Sequence, residues 1–321
     1  GISTNMAEVY EKVDDNLGYI WDDPQKMHSE FTKIKSPMER AAFINRILDR
    51  KDIWVNAGRA DMVVKMLGSM TNEELKEMTK NGLHTGMLGR VLGSFPKESG
   101  QILQRLSEAW KKGDNHMAKQ VNQFIKGMYD GGHHESFSTM MKDKKNGEIV
   151  KKMSPNQIKD LVFHLGKLKA ADNAKERFGV AYTDHGKSLY GLLYQSSWNQ
   201  FNQIMESSDG HKILHQIKHQ LVAGKTDNIG LAGRISAWAF NGASEKTKNH
   251  LLNEFSNLLK DTTGTTSSKL ADAFVGDLSD AQLQALPKTL RNRLHIAYQF
   301  GHSYSDSNYQ RLKTHAPEIK N

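Results

Sequence analysis

The sequence predicts an all-α protein, an irregular array of short helical hairpins (a multi-helix bundle or repeat) with no significant β-sheet. Three observations carry that prediction. The first is a helix-start pattern that returns three times: Met70-Thr71-Asn72-Glu73-Glu74-Leu75, Met153-Ser154-Pro155-Asn156-Gln157-Ile158 and Leu278-Ser279-Asp280-Ala281-Gln282-Leu283. In each copy a Ser or Thr hydroxyl accepts from the third helical N–H, and a Glu or Gln reaches back to the cap residue's own N–H, so two orphan donors are satisfied together. The residue before each cap and the residue four after it are both apolar, a hydrophobic staple that fixes how the chain enters the helix. Ser36 with Glu39 repeats the box without the staple, since Lys35 and Arg40 occupy the apolar places.

The second observation is periodicity. Ala41, Ile44 and Leu48 recur at helical spacing, as do Ile102, Leu103, Leu106 and Trp110, and Val121, Phe124, Ile125 and Met128. The third is the placement of the six prolines. Pro24, Pro37, Pro96, Pro155 and Pro287 follow Asp23, Ser36, Phe95, Ser154 and Leu286, and Pro317 lies near the end; four or five of the six read as first-turn prolines, whose missing N–H costs nothing.

Each boxed helix is preceded by a short apolar segment, Met62 to Leu67, Ile149 to Met153 and Leu270 to Leu278, so the unit is helix, tight turn, capped helix. The caps at 71, 154 and 279 are unequally spaced, which argues against a solenoid of fixed period. Glycines such as Gly86, Gly89 and Gly93 stand at breaks or on small-residue faces that permit close helix approach. Lys142 to Gly147 and Asp261 to Ser268 read as exposed connections. The first suggests a division into residues 1–145 and 146–321, with one continuous array as the alternative.

With 321 residues the chain is long enough for two domains or one extended array. It has 37% hydrophobic and 25% charged residues and a mean hydropathy of -0.64, the balance of a folded protein with a wetted surface. No apolar run approaches a membrane span; Leu189 to Tyr194 is far too short. The N-terminus carries no basic region followed by an apolar core, so no secretory signal is expected, and Gly1 in first place fits a processed chain or a fragment. The chain has no cysteine, which removes disulfides, thiolate ligands and cysteine nucleophiles together. That suits the bacterial cytoplasm or export by a secretion system independent of a signal peptide. The formal charge of +8 admits nucleic acid or anionic lipid as partners, although 44 basic residues interleave with 36 acidic ones as on an ordinary solvated surface.

Two constellations could carry chemistry. His211, His215 and His219 are spaced by four and stack along one helix face, where adjacent imidazoles chelate a divalent metal; His211 and His215 are the expected ligands, against a plain polar face as the alternative. No HExxH pattern accompanies them. Gly131-Gly132-His133-His134-Glu135 is the second, with His134 and Glu135 as catalytic candidates. A Gly-His-His unit occurs in HNH-type toxin nucleases, with Asn156 and His164 loosely where later residues are wanted, but the flanking strands are missing. Glu135-Ser136 also resembles the Glu-Ser pair of lytic transglycosylases, without the apolar turn expected before the glutamate. Gly186-Lys187-Ser188 ends like a phosphate loop but has Ala181 where the first glycine belongs, and Asp184, His185 and Ser188 read as a helix start rather than a triad. The five tryptophans, Trp21, Trp54, Trp110, Trp198 and Trp238, are expected as core or inter-helix anchors.

The box-and-staple turns, and above all Leu278-Ser279-Asp280-x-x-Leu283-x-x-Leu286-Pro287-x-x-x-Arg291-x-x-Leu294, resemble annexin-like helical repeats in the divergent versions found in bacterial secreted or toxin-type proteins. The chain departs from annexins in lacking their Gly-rich calcium loop with a distal acidic ligand. Since everything legible in the residues concerns helix packing and nothing demands chemistry, a helical interaction or scaffold module with a protein as partner is expected, and the resemblance implies that it is a region of a secreted effector or toxin. The residues leave two alternatives: a metal-dependent hydrolase or nuclease using His133, His134 and Glu135 or the His211/His215/His219 face, and a basic module for nucleic acid or anionic membrane.

Overall fold

The computed structural model describes residues 6–18, 20–49, 56–177, 185–210, 212–214, 229–301 and 306–320, with the side chains of 169–177 excepted. All regular structure among them is helical, and no strand occurs. The chain divides into two compact units, Gly1–Met153 and Ser154–Asn321. The N-terminal unit holds α1 (Met6–Leu17), α2 (Pro24–Lys33), α3 (Pro37–Asp49), α4 (Ala57–Gly68), α5 (Asn72–Lys80), α6 (Thr85–Leu92), α7 (Pro96–Ala109), α8 (Asn115–Asp130), α9 (His134–Met141) and α10 (Lys144–Lys152). The C-terminal unit holds α11 (Pro155–Arg177), α12 (His185–Gln195), α13 (Trp198–Glu206), α14 (Ile229–Phe240), α15 (Glu245–Asp261), α16 (Gly264–Gly276), α17 (Asp280–Gln284), α18 (Lys288–Phe300) and α19 (Asp306–His315).

Helix starts fall where the local chemistry puts them. Thr71, Ser154 and Ser279 each make both bonds of the capping box, and the stapling residues Met70, Leu75, Met153, Ile158, Leu278 and Leu283 are all buried. Pro24, Pro37, Pro96 and Pro155 open α2, α3, α7 and α11. A further complete box lies at Ser197 with Gln200. It escapes the sequence pattern because Ser196 stands where the staple wants an apolar residue. At Ser36 the Glu39 N–H donates to Ser36 Oγ as the box requires, while the Glu39 carboxylate accepts from Lys12.

The two segments read as exposed connections hold short ones, Lys142-Asp143 and Thr262-Thr263, and the rest of each is helical. Asp143 caps α10 by accepting from the Lys145 N–H at 2.9 Å, and Asn146 and Gly147 are buried in that helix. Likewise Gly264, at φ 60, opens α16, and Ser267 and Ser268 are buried there. A run of small or polar residues signals a loop only when nothing covers it; here neighbouring helices do.

Packing is mostly between helices two or three apart in order: α1 on α3, α2 on α4, α3 on α5, α4 on α7 and α6 on α8 in the first unit; α12 on α14, α14 on α16 and α16 on α18 in the second. The three apolar faces expected from periodicity are all buried. At the crossing of α6 and α8 the backbones touch. A Cβ on Gly89 would strike the Phe124 carbonyl oxygen and lie 2.8 Å from the Met128 nitrogen, and one on Gly127 would strike the Gly86 carbonyl oxygen.

The box at Thr71 extends into the core. Arg40, buried on α3, donates to the Ile34 carbonyl at 2.8 Å and to the Glu74 carboxylate at 2.7 Å. The Thr71 backbone N–H first, and Arg40 next, hold the Glu74 carboxyl down from 4.5 to about 2. A depressed acid contributes stability that is present above its unfolded value and lost as pH falls toward its folded one. The N-terminal unit is therefore expected to weaken by about 1 kcal/mol between pH 4.5 and 2, a figure cut by solvent screening because the Glu74 side chain is 40% exposed. Urea denaturation across that range checks this, with Glu74→Gln giving the flatter dependence.

Candidate functional site

The turn between α8 and α9 holds the candidate catalytic residues. Gly132 has φ 74, which a residue with a Cβ rarely adopts, and it lets the chain reverse after Asp130. The ring of His133 lies over Gly93 and Gly131, where any Cβ would collide with it, and its Nε2 is 2.8 Å from the Arg90 carbonyl oxygen. His134 is 2% exposed and stacks on Tyr129, ring centres 5.9 Å apart, while Phe137 meets Tyr129 edge-on at 5.1 Å. Burial pushes the Tyr129 hydroxyl well above its usual range. Glu135 lies on the exposed side of α9, in its acidic first turn. The structure thus places His134 in the core and Glu135 at the surface.

His134→Ala is expected to cost about 3 kcal/mol through the cavity beside Tyr129, whereas Glu135→Ala costs no more than about 1 kcal/mol at a helix start. Thermal denaturation of the two variants checks that contrast. His211, His215 and His219 lie outside the described residues. Among the described residues no group of three or more His, Asp or Glu side chains could hold a metal ion. His185 opens α12 with its Nδ1 3.3 Å from the Leu165 carbonyl oxygen, and Ser188 is buried.

What the structure does bring together is a set of arginine clamps on helix ends. After each of three boxed turns, the carbonyl just before the cap and the carbonyl three residues earlier accept from one arginine on a later helix. At the Thr71 turn Arg105 of α7 donates to Leu67 at 3.0 Å and Met70 at 2.8 Å, and to the Asn72 side chain at 2.6 Å. At the Ser279 turn Arg311 of α19 donates to Val275 and Leu278, and to Asp280 at 3.0 Å. At the Ser197 turn Arg234 of α14 donates to Leu193 at 3.0 Å and Ser196 at 2.5 Å. A lysine does the same work once: Lys152 of α10 donates to Ser107 and Trp110 at the end of α7. Helix C-termini leave carbonyls without intrahelical partners, and a cation there meets both the hydrogen-bond need and the negative end of the dipole.

The Ser197 clamp differs from its relatives in what surrounds it. The residue after the cap, a polar group at the other two turns, is Trp198, and the Arg234 guanidinium lies over its ring at 4.9 Å and over Tyr194 at 5.0 Å. Tyr190 stacks on Tyr194 at 5.0 Å. Trp198 is 43% exposed and Tyr194 44%, so this tryptophan, expected as a core or inter-helix anchor, lies outside the core, at the first position of α13 beside the cap. Burial pulls the Arg234 guanidinium down and pushes the Asp277 carboxyl up against the opposing pull of Arg234. Trp110 and Trp238 are buried as expected, and Trp54 lies outside the described residues.

No protein-family model matches the chain, and no curated protein matches it. Its function is therefore read from its own surfaces. Sequence reasoning missed the clamps and the aromatic platform, yet a signal exists. The clamping arginines stand 33 to 38 residues after the carbonyl that precedes each cap. Each is followed by a buried aliphatic residue, Leu106, Ile235 or Leu312. No helix among the described residues is long and apolar enough to cross a membrane.

Proposed function

We propose that the chain is a helical interaction module that presents preorganised surface aromatics to a protein partner, as part of a bacterial secreted effector or toxin. The box-and-staple turns support relating its units to annexin-like repeats. One observation carries the reading: Tyr194 and Trp198, both more than two-fifths exposed, flank an arginine whose donors are held by two helix-end carbonyls. Tyr, Trp and Arg are the residue types that dominate binding energy at protein interfaces, and a platform fixed before binding loses little side-chain entropy on association.

The test is affinity capture from the protein's native cells, with the bound proteins quantified against Trp198→Ala and Tyr194→Ala. The expected result is a partner retained by the wild type and reduced at least about tenfold by Trp198→Ala, equivalent to 1.4 kcal/mol, in a variant that keeps its helical spectrum. Equal recovery in all three overturns the platform. A hydrolytic or nuclease activity lost in folded Glu135→Ala and untouched in Trp198→Ala overturns the module reading in favour of an enzyme.

A further inference from the structure

Asparagine before glycine is the pair most prone to lose a side-chain amide, and the sequence holds three such pairs: Asn81-Gly82, Asn146-Gly147 and Asn241-Gly242. The main-chain nitrogen after an asparagine can attack the side-chain carbon, and a glycine has no Cβ to block that approach. Whether the attack occurs depends on what the fold allows the two groups to do. The three pairs share a sequence and differ in their surroundings, so the structure ranks them. We propose that Asn241 is a site of spontaneous deamidation, converted in the folded protein to a mixture of aspartate and isoaspartate, while Asn81 and Asn146 are held as amides.

Asn146 lies inside α10 and is buried. Its Nδ2 donates to the Met140 carbonyl at 2.9 Å, its Oδ1 accepts from Gln104 at 3.1 Å, and the Gly147 N–H donates to the Asp143 carbonyl at 3.1 Å. Asn81 ends α5 and is half-buried. Its Nδ2 donates to the Glu77 carbonyl at 2.6 Å. Buried Asn45 braces the same turn, donating to the Gly82 carbonyl at 2.8 Å and accepting from the His84 N–H at 2.9 Å. Asn241 follows the last residue of α14 and is exposed, as is Gly242. Its own N–H donates to the Trp238 carbonyl at 3.2 Å, and among the described residues no other hydrogen bond ties its side chain or the Gly242 N–H. A Cβ on Gly242 would meet nothing within 4 Å, so the turn has room to rearrange. The next fixed point is Ser244, whose Oγ accepts from the Thr247 N–H at 3.3 Å to cap α15.

The chemistry needs only water. The Gly242 nitrogen gives its proton to water or hydroxide and forms a bond to Cγ of Asn241. The Cγ–Nδ2 bond then breaks, and the side-chain nitrogen takes up a proton and leaves as ammonia, closing a succinimide ring. Water opens the ring at either carbonyl. One opening restores the main chain with an aspartate side chain, and the other leaves the main chain running through the former side-chain carbons as isoaspartate. In sum a water enters and an ammonia leaves, with nothing oxidised or reduced. Either product puts a carboxylate at the negative end of the α14 dipole, and isoaspartate also lengthens the connection to α15 by a carbon.

The test incubates the full chain in mildly alkaline buffer, withdraws samples over weeks, digests them at acidic pH where the ring does not form, and follows the three asparagine peptides by liquid chromatography and mass spectrometry. Asn241 is expected to convert at least about tenfold faster than Asn81 or Asn146, and to give isoaspartate and aspartate as separate peaks. The same chain in concentrated urea is expected to convert all three at rates that converge, because there only the shared Asn-Gly sequence acts. Equal rates at the three sites of the folded chain, or a faster Asn81 or Asn146, overturn the proposal. So does an Asn241 that stays an amide in the folded chain while it converts in urea. A ranking that persists in urea removes the fold as its cause, and aspartate formed without isoaspartate removes the ring.

Discussion

Gly127→Ala is expected to destabilise the N-terminal unit by about 3 kcal/mol or more, the upper end of overpacking costs. The added methyl would meet the Gly86 carbonyl oxygen and carbon and lie 3.1 Å from the Arg90 nitrogen, all of them backbone. A flexible side chain could swing aside, but a helix backbone cannot, so α6 and α8 would have to separate and open a void along their whole contact. Gly89→Ala approaches the same crossing from the other helix and is expected to cost as much. Gly68→Ala is the control. A Cβ there meets nothing within 4 Å, and an alanine in place of a glycine near an exposed helix end gains up to about 1 kcal/mol. Urea denaturation of the three variants checks the signs as well as the sizes, and a Gly127→Ala protein as stable as wild type would remove the backbone contact from the account.

The second large effect belongs to the clamps. Arg105→Ala is expected to cost about 3 kcal/mol, since hydrogen bonds to a charged donor contribute about 1.5–3 kcal/mol and three acceptors lose theirs at once. The loss should appear locally. Hydrogen exchange is expected to quicken at the end of α4 and the start of α5, where Leu67, Met70 and Asn72 sit, before it quickens elsewhere in the unit. Arg105→Lys should recover part of the stability, because Lys152 holds the carbonyls of Ser107 and Trp110 with a single ammonium. The planar five-donor guanidinium that also reaches Asn72 is what a lysine lacks. A double-mutant cycle between Arg105→Ala and Asn72→Ala isolates that last contact, and a coupling near zero would confine the clamp to the two carbonyls.

The clamps also order what lies beside the turns they hold. Arg105 fixes the turn between α4 and α5, and Arg234 lies over the rings of Tyr194 and Trp198.

The candidate site was less legible than the fold. Gly131 to Glu135 drew attention as a cluster of chemistry-bearing residue types. In the structure Gly132 turns the chain, His133 meets the Arg90 carbonyl and His134 fills the core beside Tyr129. Only burial separates a histidine that packs from one that reacts, and burial depends on what the rest of the chain lays over it. Trp198 departs in the opposite direction: its apolar surroundings in sequence suggest a core or inter-helix anchor, while its place after a capping serine leaves it partly exposed.

The sequence by itself determined the all-α class, the helix starts at Thr71, Ser154 and Ser279, the proline-led helices and the faces that are buried. Each of those rests on groups within about one helical turn of each other, so the interaction is written in adjacent letters. Tertiary structure alone decided that the helices expected over Ile149 to Met153 and Leu270 to Leu278 begin as early as Lys144 and Gly264, that Gly89 and Gly127 meet backbone, and that Arg105, Arg234 and Arg311 clamp distant turns. Those partners are more than thirty residues apart, and a glycine or an arginine carries no local mark of the carbonyl it will face once the helices have packed.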